Sequence, residues 1–246
     1  MKQPKIMDTK PKISLIIPAY NEEKYLGSCL EHALKNGGSD FFEIIVIDNA
    51  STDQTATIAS NYPQVRVVRE DWKGLTRARE RGLKEARGEI LAYLDADTHL
   101  PPGWTKTAIK EFNQNPKLVA LSGPYTYYDF PRTQQIWIKL YWFAATVMYW
   151  FTGYMLVGGN FLIKKEMLEK MSGFNTKIEF YGEDTDLARR ASKYGKVKFN
   201  LKLIMPTSAR RLKGQGTLKT AYFYFINFIS QVVLHRSTTK DYADLR

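Results

Sequence analysis

Ile90-Leu91-Ala92-Tyr93-Leu94-Asp95-Ala96-Asp97 decides how this chain is read: an unbroken apolar run, then two carboxylates one residue apart. A short apolar run without polar alternation suits a strand buried on both faces of a parallel sheet. Towards the N-terminus the pattern recurs. Ile13-Ser14-Leu15-Ile16-Ile17 is stopped by Pro18, Glu43-Ile44-Ile45-Val46-Ile47 runs into Asp48, and Val65 to Arg69 makes a third short strand.

Helical spacings lie between these runs. Tyr25, Leu26, Cys29, Leu30 and Ala33 share one helix face, with Asn21 as the expected cap and Gly37-Gly38 as the stop. Ser51 and Thr52 offer caps for a helix to about Tyr62. Leu75, Ala78, Gly82, Leu83 and Ala86 mark another, closed by Gly88. Strands alternating with helices predict the α/β class, with a mainly parallel central sheet flanked by helices and right-handed crossovers. In such sheets ligands bind at the carboxyl ends of strands. Residues 18–21, Asp48-Asn49 and residues 95–97 all fall there, so three polar clusters are expected to meet on one edge.

The 246 residues suffice for a full α/β core, and 44% hydrophobic content excludes disorder as the default. One cysteine, Cys29, excludes an internal disulfide framework and a Cys-rich zinc site, in keeping with a reducing compartment. Residues 1–12 are polar and do not read as a secretory leader. The net charge of +11 is uneven: residues 189–219 hold ten Lys or Arg and no Asp or Glu. Such a block suits a polyanion, a lipid headgroup or a diphosphate; the plain alternative is a solvated basic face.

Two carboxylates just past a buried strand make an oxygen-rich site for a hard cation, Mg²⁺ or Mn²⁺, shared with substrate phosphates. Asp95 and Asp97 face the same way if the extended geometry persists. His99, two residues on, is a further candidate ligand. The alternative is a solvated loop of helix-capping aspartates before Pro101-Pro102.

The second half is less regular. Pro102 is placed to open a helix to about Asn113, and residues 118–121 read as a strand. Glu183-Asp184 begins an expected helix with Leu187, Ala188, Ala191 and Tyr194 on one side and Gly195 at its end. Carboxylates there are expected from capping and the helix dipole alone, but a carboxylate is also the group that takes a proton from an attacking hydroxyl. Gly158-Gly159-Asn160 suggests backbone passing close to a ligand, or a plain turn.

Taken in order, several segments resemble glycosyltransferase family 2. These are residues 14–22 (SLIIPAYNE), 46–53 (VIDNASTD), 74–79 (GLTRAR) with 86–89 (ARGE), 94–97 (LDAD), Gly158-Gly159-Asn160, Gly173-Phe174 and 182–187 (GEDTDL). The likeness covers roughly residues 12–211. It implies a Rossmann-like GT-A fold and an inverting transfer from a nucleotide-activated sugar, a uridine or guanosine diphosphate sugar, with Mg²⁺ or Mn²⁺. It places Pro18, Ala19, Tyr20, Glu22 and Asp48 on the nucleoside, Asp48 at the base, and Lys73 and Arg77 near the phosphates. Asp97 is the implied metal ligand, with Asp95 and Ala96 on the donor. Asp184 is the implied base, with Glu183 orienting the acceptor or sharing the role. Gly159, Asn160, Arg210 and Arg211 fall to the acceptor and diphosphate loop. Asn49 departs from the commoner Asp-Asp form and takes no role. The implied division is 1–211 as the catalytic domain, with a nucleotide-binding half at 12–99 and an acceptor half at 100–211, then a tail at 212–246.

Residues 140–159 and 220–234 are uncharged and rich in Tyr, Trp and Phe. The first is long enough to span a membrane. Its crowded glycines, its aromatics throughout and the return to Asn160 favour an amphipathic interfacial segment. The alternative is core or a dimer contact. The expected setting is the cytoplasmic face of a membrane with an anionic surface, a saccharide or lipid-linked acceptor, and no nucleic-acid partner. Two rivals remain. A sugar-nucleotide pyrophosphorylase would carry a Gly-rich signature after the first strand, where Pro18-Ala19-Tyr20-Asn21 stands instead. A non-catalytic basic binding module leaves the strand-end clusters unexplained.

Overall fold

The computed structural model describes residues 10–239 except positions 132, 134, 179 and 237 and the side chain of Leu218. The expectations for residues 1–9 and 240–246 lie outside the described residues. In chain order the elements are β1 (Ile13–Ala19), α1 (Leu26–Gly37), β2 (Phe41–Asp48), α2 (Thr55–Ser60), β3 (Val65–Arg69), α3 (Leu75–Glu85), β4 (Ile90–Leu94), α4 (Trp104–Gln114), β5 (Leu118–Ser122) and β6 (Tyr125–Tyr127). There follow α5 (Gln135–Thr152), β7 (Asn160–Lys164), α6 (Lys165–Lys170), α7 (Glu183–Ser192), β8 (Lys196–Phe199), β9 (Met205–Thr207), α8 (Arg210–Gln215) and α9 (Thr217–Leu234).

The main sheet runs β3-β2-β1-β4-β7-β5-β8, and β6 pairs with β9 in a small second sheet. The chain leaves β1 in one direction through β2 and β3, then returns to its other side with β4. A parallel sheet takes its ligand at the carboxyl ends of its strands beside such a reversal, which here falls between β1 and β4. β7 is the exception to parallel order: it lies antiparallel between β4 and β5 and brings residues 158–160 to the end of β4.

Period-two alternation makes each strand serve two cores. On one face Leu15, Ile17, Val46, Ala92 and Leu94 pack under α1 and α4. On the other, Ile16, Ile45, Leu91 and Tyr93 pack under α3 and α7. This double burial is why the strands read as unbroken apolar runs.

Local details correct the expected caps. Asn21 does not cap α1; its backbone is left-handed (φ 50°), and its side-chain oxygen accepts the Thr52 N–H at 2.9 Å, tying the loop after β1 to the loop after β2. Nor do Ser51 and Thr52 cap α2, which starts at Thr55 with its N–H on Asp53 Oδ1 at 3.0 Å. Helix α4 begins at Trp104, after the left-handed Gly103, two residues beyond Pro102.

The aromatic stretches are the helices α5 and α9. Among α5 residues Ile138 is buried, while Trp150 and Phe151 are 74% and 83% exposed. Among the described residues no helix is long and apolar enough to cross a membrane. The basic block of residues 189–219 is not one free face. Arg189 and Arg190 pair with Asp186, Lys198 with Glu111, Arg210 with Glu22 and Asp97, and Lys213 with Asp129.

Candidate active site

At the ends of β1 and β2 lies an open cleft of about 420 Å³, whose walls include Pro18, Ala19, Tyr20, Asn49, Lys73 and Arg77. The Lys73 ammonium stands 4.0 Å from the centre of the Tyr20 ring. Asn49 has a role that its departure from the family pattern concealed. Its side chain donates to Trp72 O at 2.8 Å and accepts from Gly74 N at 2.7 Å, so it fixes the loop that forms one wall. A carboxylate could accept the Gly74 N–H but could not donate to Trp72. Asp48 is buried; its carboxylate takes Arg69 Nη1 at 2.7 Å and the Ser51 N–H at 3.2 Å.

Beside this cleft, β4 delivers Asp95 and Asp97, and α7 begins at Glu183 and Asp184. Arg79 joins the two groups. It is 1% exposed, and its guanidinium ion-pairs with Glu183 Oε1 and reaches Asp95 Oδ1 at 3.4 Å. A buried guanidinium is tolerable only when paired in this way. The Tyr125 hydroxyl lies 2.5 Å from Gly158 O, to which it donates, and 3.2 Å from Asp95 Oδ2. Burial pushes the Glu183 carboxyl up to about 7, with Arg79 opposing and the Asp184 charge assisting. Its second oxygen, Oε2, is buried and has no hydrogen-bond partner among the described residues. Asp184 is also raised by burial, against hydrogen bonds from Gly158 N at 3.2 Å and Thr185 N at 2.8 Å.

Two glycines make this packing possible. Gly159 is left-handed (φ 77°), and a Cβ there would lie 2.1 Å from the Asp95 carboxyl carbon. A Cβ at Gly158 would lie 2.7 Å from Glu183 Oε1. Their observed neighbours are thus carboxylates of the protein itself.

Asp97 has a different set of partners from Asp95. Arg210 Nε contacts Asp97 Oδ2 at 2.9 Å, while its two terminal nitrogens grip Glu22 at 2.6 and 2.7 Å. Burial raises Asp97 to about 6; Arg210 opposes this and the Asp95 and Glu22 charges add to it.

Pro18, Ala19, Tyr20, Lys73 and Arg77 therefore share the cleft; Asp95 and Glu183 meet through Arg79, Glu22 and Asp97 meet through Arg210, and Asp184 accepts the Gly158 and Thr185 N–H groups. Ala96 is buried in the core below them. Two expected residues do other work. The His99 ring is stacked between His32 and Tyr128, with centroids 4.1 and 4.0 Å apart, and its Nε2 lies 3.0 Å from Ser28 Oγ. Asn160 is fully buried; its side chain donates to Gly123 O and Leu203 O and accepts from Trp104 Nε1, so it locks β7 in place. Arg211 lies 4.4 Å from the Phe180 ring. Arg79 and Tyr125 are the residues that sequence reading overlooked. Arg79 did carry a signal, since it stands four residues after Leu75 and four before Leu83, on the apolar side of α3.

A parallel sheet with its reversal at β1 and β4, carboxylates at the strand ends and an antiparallel β7 returning to them defines the GT-A class of transferase. The chain belongs to glycosyl transferase family 2, whose family model matches residues 14–172. It is 33% identical over 115 residues to chondroitin synthase of Escherichia coli, covering 45% of this chain and 17% of that protein. Among solved structures, the mannosyltransferase PcManGT from Pyrobaculum calidifontis, in complex with GDP-Man and Mn²⁺, superposes with a TM-score of 0.68 at 21% identity, covering 86% of this chain and 63% of that one. Glucosyl-3-phosphoglycerate synthase from Mycobacterium tuberculosis, in complex with Mn²⁺, UDP-glucose and phosphoglyceric acid, gives 0.60 at 20% identity, covering 90% and 80%. The matched segments span a third or less of the length of the first curated relatives.

Proposed function

We propose that this chain transfers a sugar, with inversion, from a uridine or guanosine diphosphate sugar to a hydroxyl or phosphate acceptor, lipid-linked and presented at the cytoplasmic face of a membrane. The Arg79 bridge is the observation that carries this reading. It couples Asp95, beside the nucleotide cleft, to Glu183, the neighbour of the proposed base.

In the proposed reaction the acceptor oxygen attacks the anomeric carbon and forms the new glycosidic bond. Its proton passes to Asp184, and the bond to the nucleoside diphosphate breaks with its electron pair on the phosphate. Asp184 suits the base role better than Glu183 because Arg79 already holds one Glu183 oxygen, whereas Asp184 is only half-buried. Glu183 and Arg79 then act as positioning residues. Lys73 and Arg77 line the donor cleft and supply positive charge for the diphosphate.

The donor set fits a divalent cation. Asp97 and Asp95 offer hard oxygens, while among the described residues no three His, Cys, Asp or Glu are grouped so as to hold a metal ion by themselves. Mg²⁺ and Mn²⁺ favour such part-built sites, filling the remainder with water and substrate phosphate. When bound, the ion would neutralise charge on the leaving diphosphate. PcManGT and glucosyl-3-phosphoglycerate synthase, both solved with Mn²⁺ and a nucleotide sugar, support the same assignment.

The acceptor and membrane parts of the proposal rest on α5 and α9. Helix α9 packs against α7, the helix that carries the proposed base, and burial chiefly, with the Asp184 charge adding to it, raises the hydroxyls of Tyr141 on α5 and Tyr224 on α9. An apolar acceptor tail lying along them would bring its polar head to Asp184.

The test is a panel of UDP- and GDP-sugars with Mn²⁺ or Mg²⁺, with and without lipid acceptors. Release of nucleoside diphosphate is expected; release of pyrophosphate would instead make the chain a pyrophosphorylase. Asp184→Asn is expected to bind donor normally and to lose transfer by about 10²-fold or more. Absence of metal-dependent binding of any sugar nucleotide would sink the reading.

A further inference from the structure

The proposed metal ligand already has a cation. Glu22 and Asp97 are both buried carboxylates, Asp95 lies two residues before Asp97, and Arg210 supplies the positive charge between Glu22 and Asp97. Its contacts are well formed: a two-pronged grip on Glu22 and a third N–H on Asp97 Oδ2. A planar guanidinium presents its donors in a fixed fork, so three such bonds hold it in one orientation. Arg210 and Glu22 are 188 residues apart in the chain, so the contact also ties the loop after β1 to α8.

We propose that Arg210 is the resident cation of the acidic centre and exchanges with a divalent ion, which enters together with a nucleoside diphosphate whose phosphates receive the displaced guanidinium. The inference rests on the glycosyltransferase reading above and deepens it by setting the order in which the site fills.

Charge and geometry supply the reasons. A divalent ion at Asp97 competes with Arg210 for the Oδ2 lone pairs. If both stayed, a guanidinium and a dication would repel each other in a poorly solvated site, where charge interactions are strong. A metal alone must therefore break the Arg210 contact with Asp97 and sit beside a guanidinium that Glu22 still holds. A nucleoside diphosphate removes that penalty, because its phosphate oxygens match the guanidinium fork. Metal and nucleotide should consequently strengthen each other's binding, and the coupling must be reciprocal.

The surrounding structure allows the exchange without refolding. Asp129 fixes the backbone at the start of α8 through Ala209 N at 2.6 Å, with Ser208 Oγ at 3.1 Å and Lys213 Nζ at 2.9 Å. With that anchor in place, rotation of the Arg210 side chain alone frees Asp97. The Tyr25 ring, 4.8 Å from the guanidinium carbon, offers a flat face along which it can move.

The experiment is titration of the full chain with Mn²⁺, following the free-ion electron paramagnetic resonance signal, with and without UDP or GDP. Wild type is expected to bind Mn²⁺ at least tenfold tighter with one of these nucleotides than without. Arg210→Gln is expected to raise nucleotide-free Mn²⁺ affinity at least tenfold and to shrink the coupling. Equal nucleotide-free affinity in wild type and a folded Arg210→Gln, with Mn²⁺-dependent nucleotide binding intact, overturns the exchange and leaves the glycosyltransferase reading standing. Absence of Mn²⁺-dependent nucleotide binding in wild type overturns both. Should Arg210→Gln fail to fold, Arg210→Lys decides. A single ammonium cannot reproduce three directed contacts, so a rise of at least threefold is expected, and no rise overturns the exchange.

Discussion

The floor of the active site and the outer faces of α5 and α9 invert the usual arrangement of a globular protein in opposite ways. On the floor, charge is inside: Arg79, Glu183, Glu22 and Asp97 are all buried. On the two helices, apolar surface is outside, including Trp137, Phe143, Trp150 and Phe151 on α5 and Tyr222 and Phe225 on α9. The first arrangement persists because the charges satisfy one another within the chain. Nothing within the described residues covers the second, and large exposed apolar patches generally mark contact surfaces. The comparison therefore separates a self-contained ionic network from a surface whose proposed partner is a membrane.

Breaking the ionic half should have the largest effect. Arg79→Met keeps much of the side-chain volume but leaves Glu183 and Asp95 without their shared cation. A loss of about 3–5 kcal/mol in denaturant unfolding is expected, as for other broken buried pairs. A loss below about 1 kcal/mol would show that the network holds little of the fold together.

A smaller effect should appear in pH dependence. In the folded chain Glu183 keeps its proton to about pH 7, whereas an unfolded glutamate releases it near about 4.3. Between these values the folded state binds more protons, so this contribution is full below the window and declines as pH rises through it. The slope is up to about 1.4 kcal/mol per pH unit. Unfolding free energies of wild type and Glu183→Gln should therefore differ progressively less in favour of wild type between about pH 5 and pH 7. A constant difference would mean that Glu183 titrates as a surface carboxylate does.

The smallest effect on stability should come from the aromatic half. Trp150→Ser with Phe151→Ser removes apolar surface that is already exposed, so unfolding free energy should change by less than about 0.5 kcal/mol. Sedimentation with vesicles of phosphatidylcholine and phosphatidylglycerol should nevertheless drop severalfold. A large loss of stability with unchanged vesicle binding would recast this face as core or as a contact between copies.

Much of the fold was legible because β1, β2 and β4 are buried on both faces and so carry unbroken apolar runs. β7 was not legible. Phe161-Leu162-Ile163 is too short to separate strand from helix, and its antiparallel place between β4 and β5 depends on partners far away in the chain. The helix caps failed for a local reason: Asn21, Ser51 and Thr52 spend their polar groups linking two loops. The basic block misled because sequence shows the charges of Lys198, Arg210 and Lys213 but not the distant carboxylates that pair with them.

The sequence by itself determined the α/β class, the strand-end position of the polar clusters and the family, since each is written in residues close along the chain. Tertiary structure decided how Asp95 and Asp97 differ. Asp95 is joined through Arg79 to the start of α7, while Asp97 is held by an arginine from α8. The physical reason is that a buried carboxylate takes its character from whichever cation the fold brings to it. Sequence spacing places Asp95 and Asp97 one residue apart and is silent about either arginine.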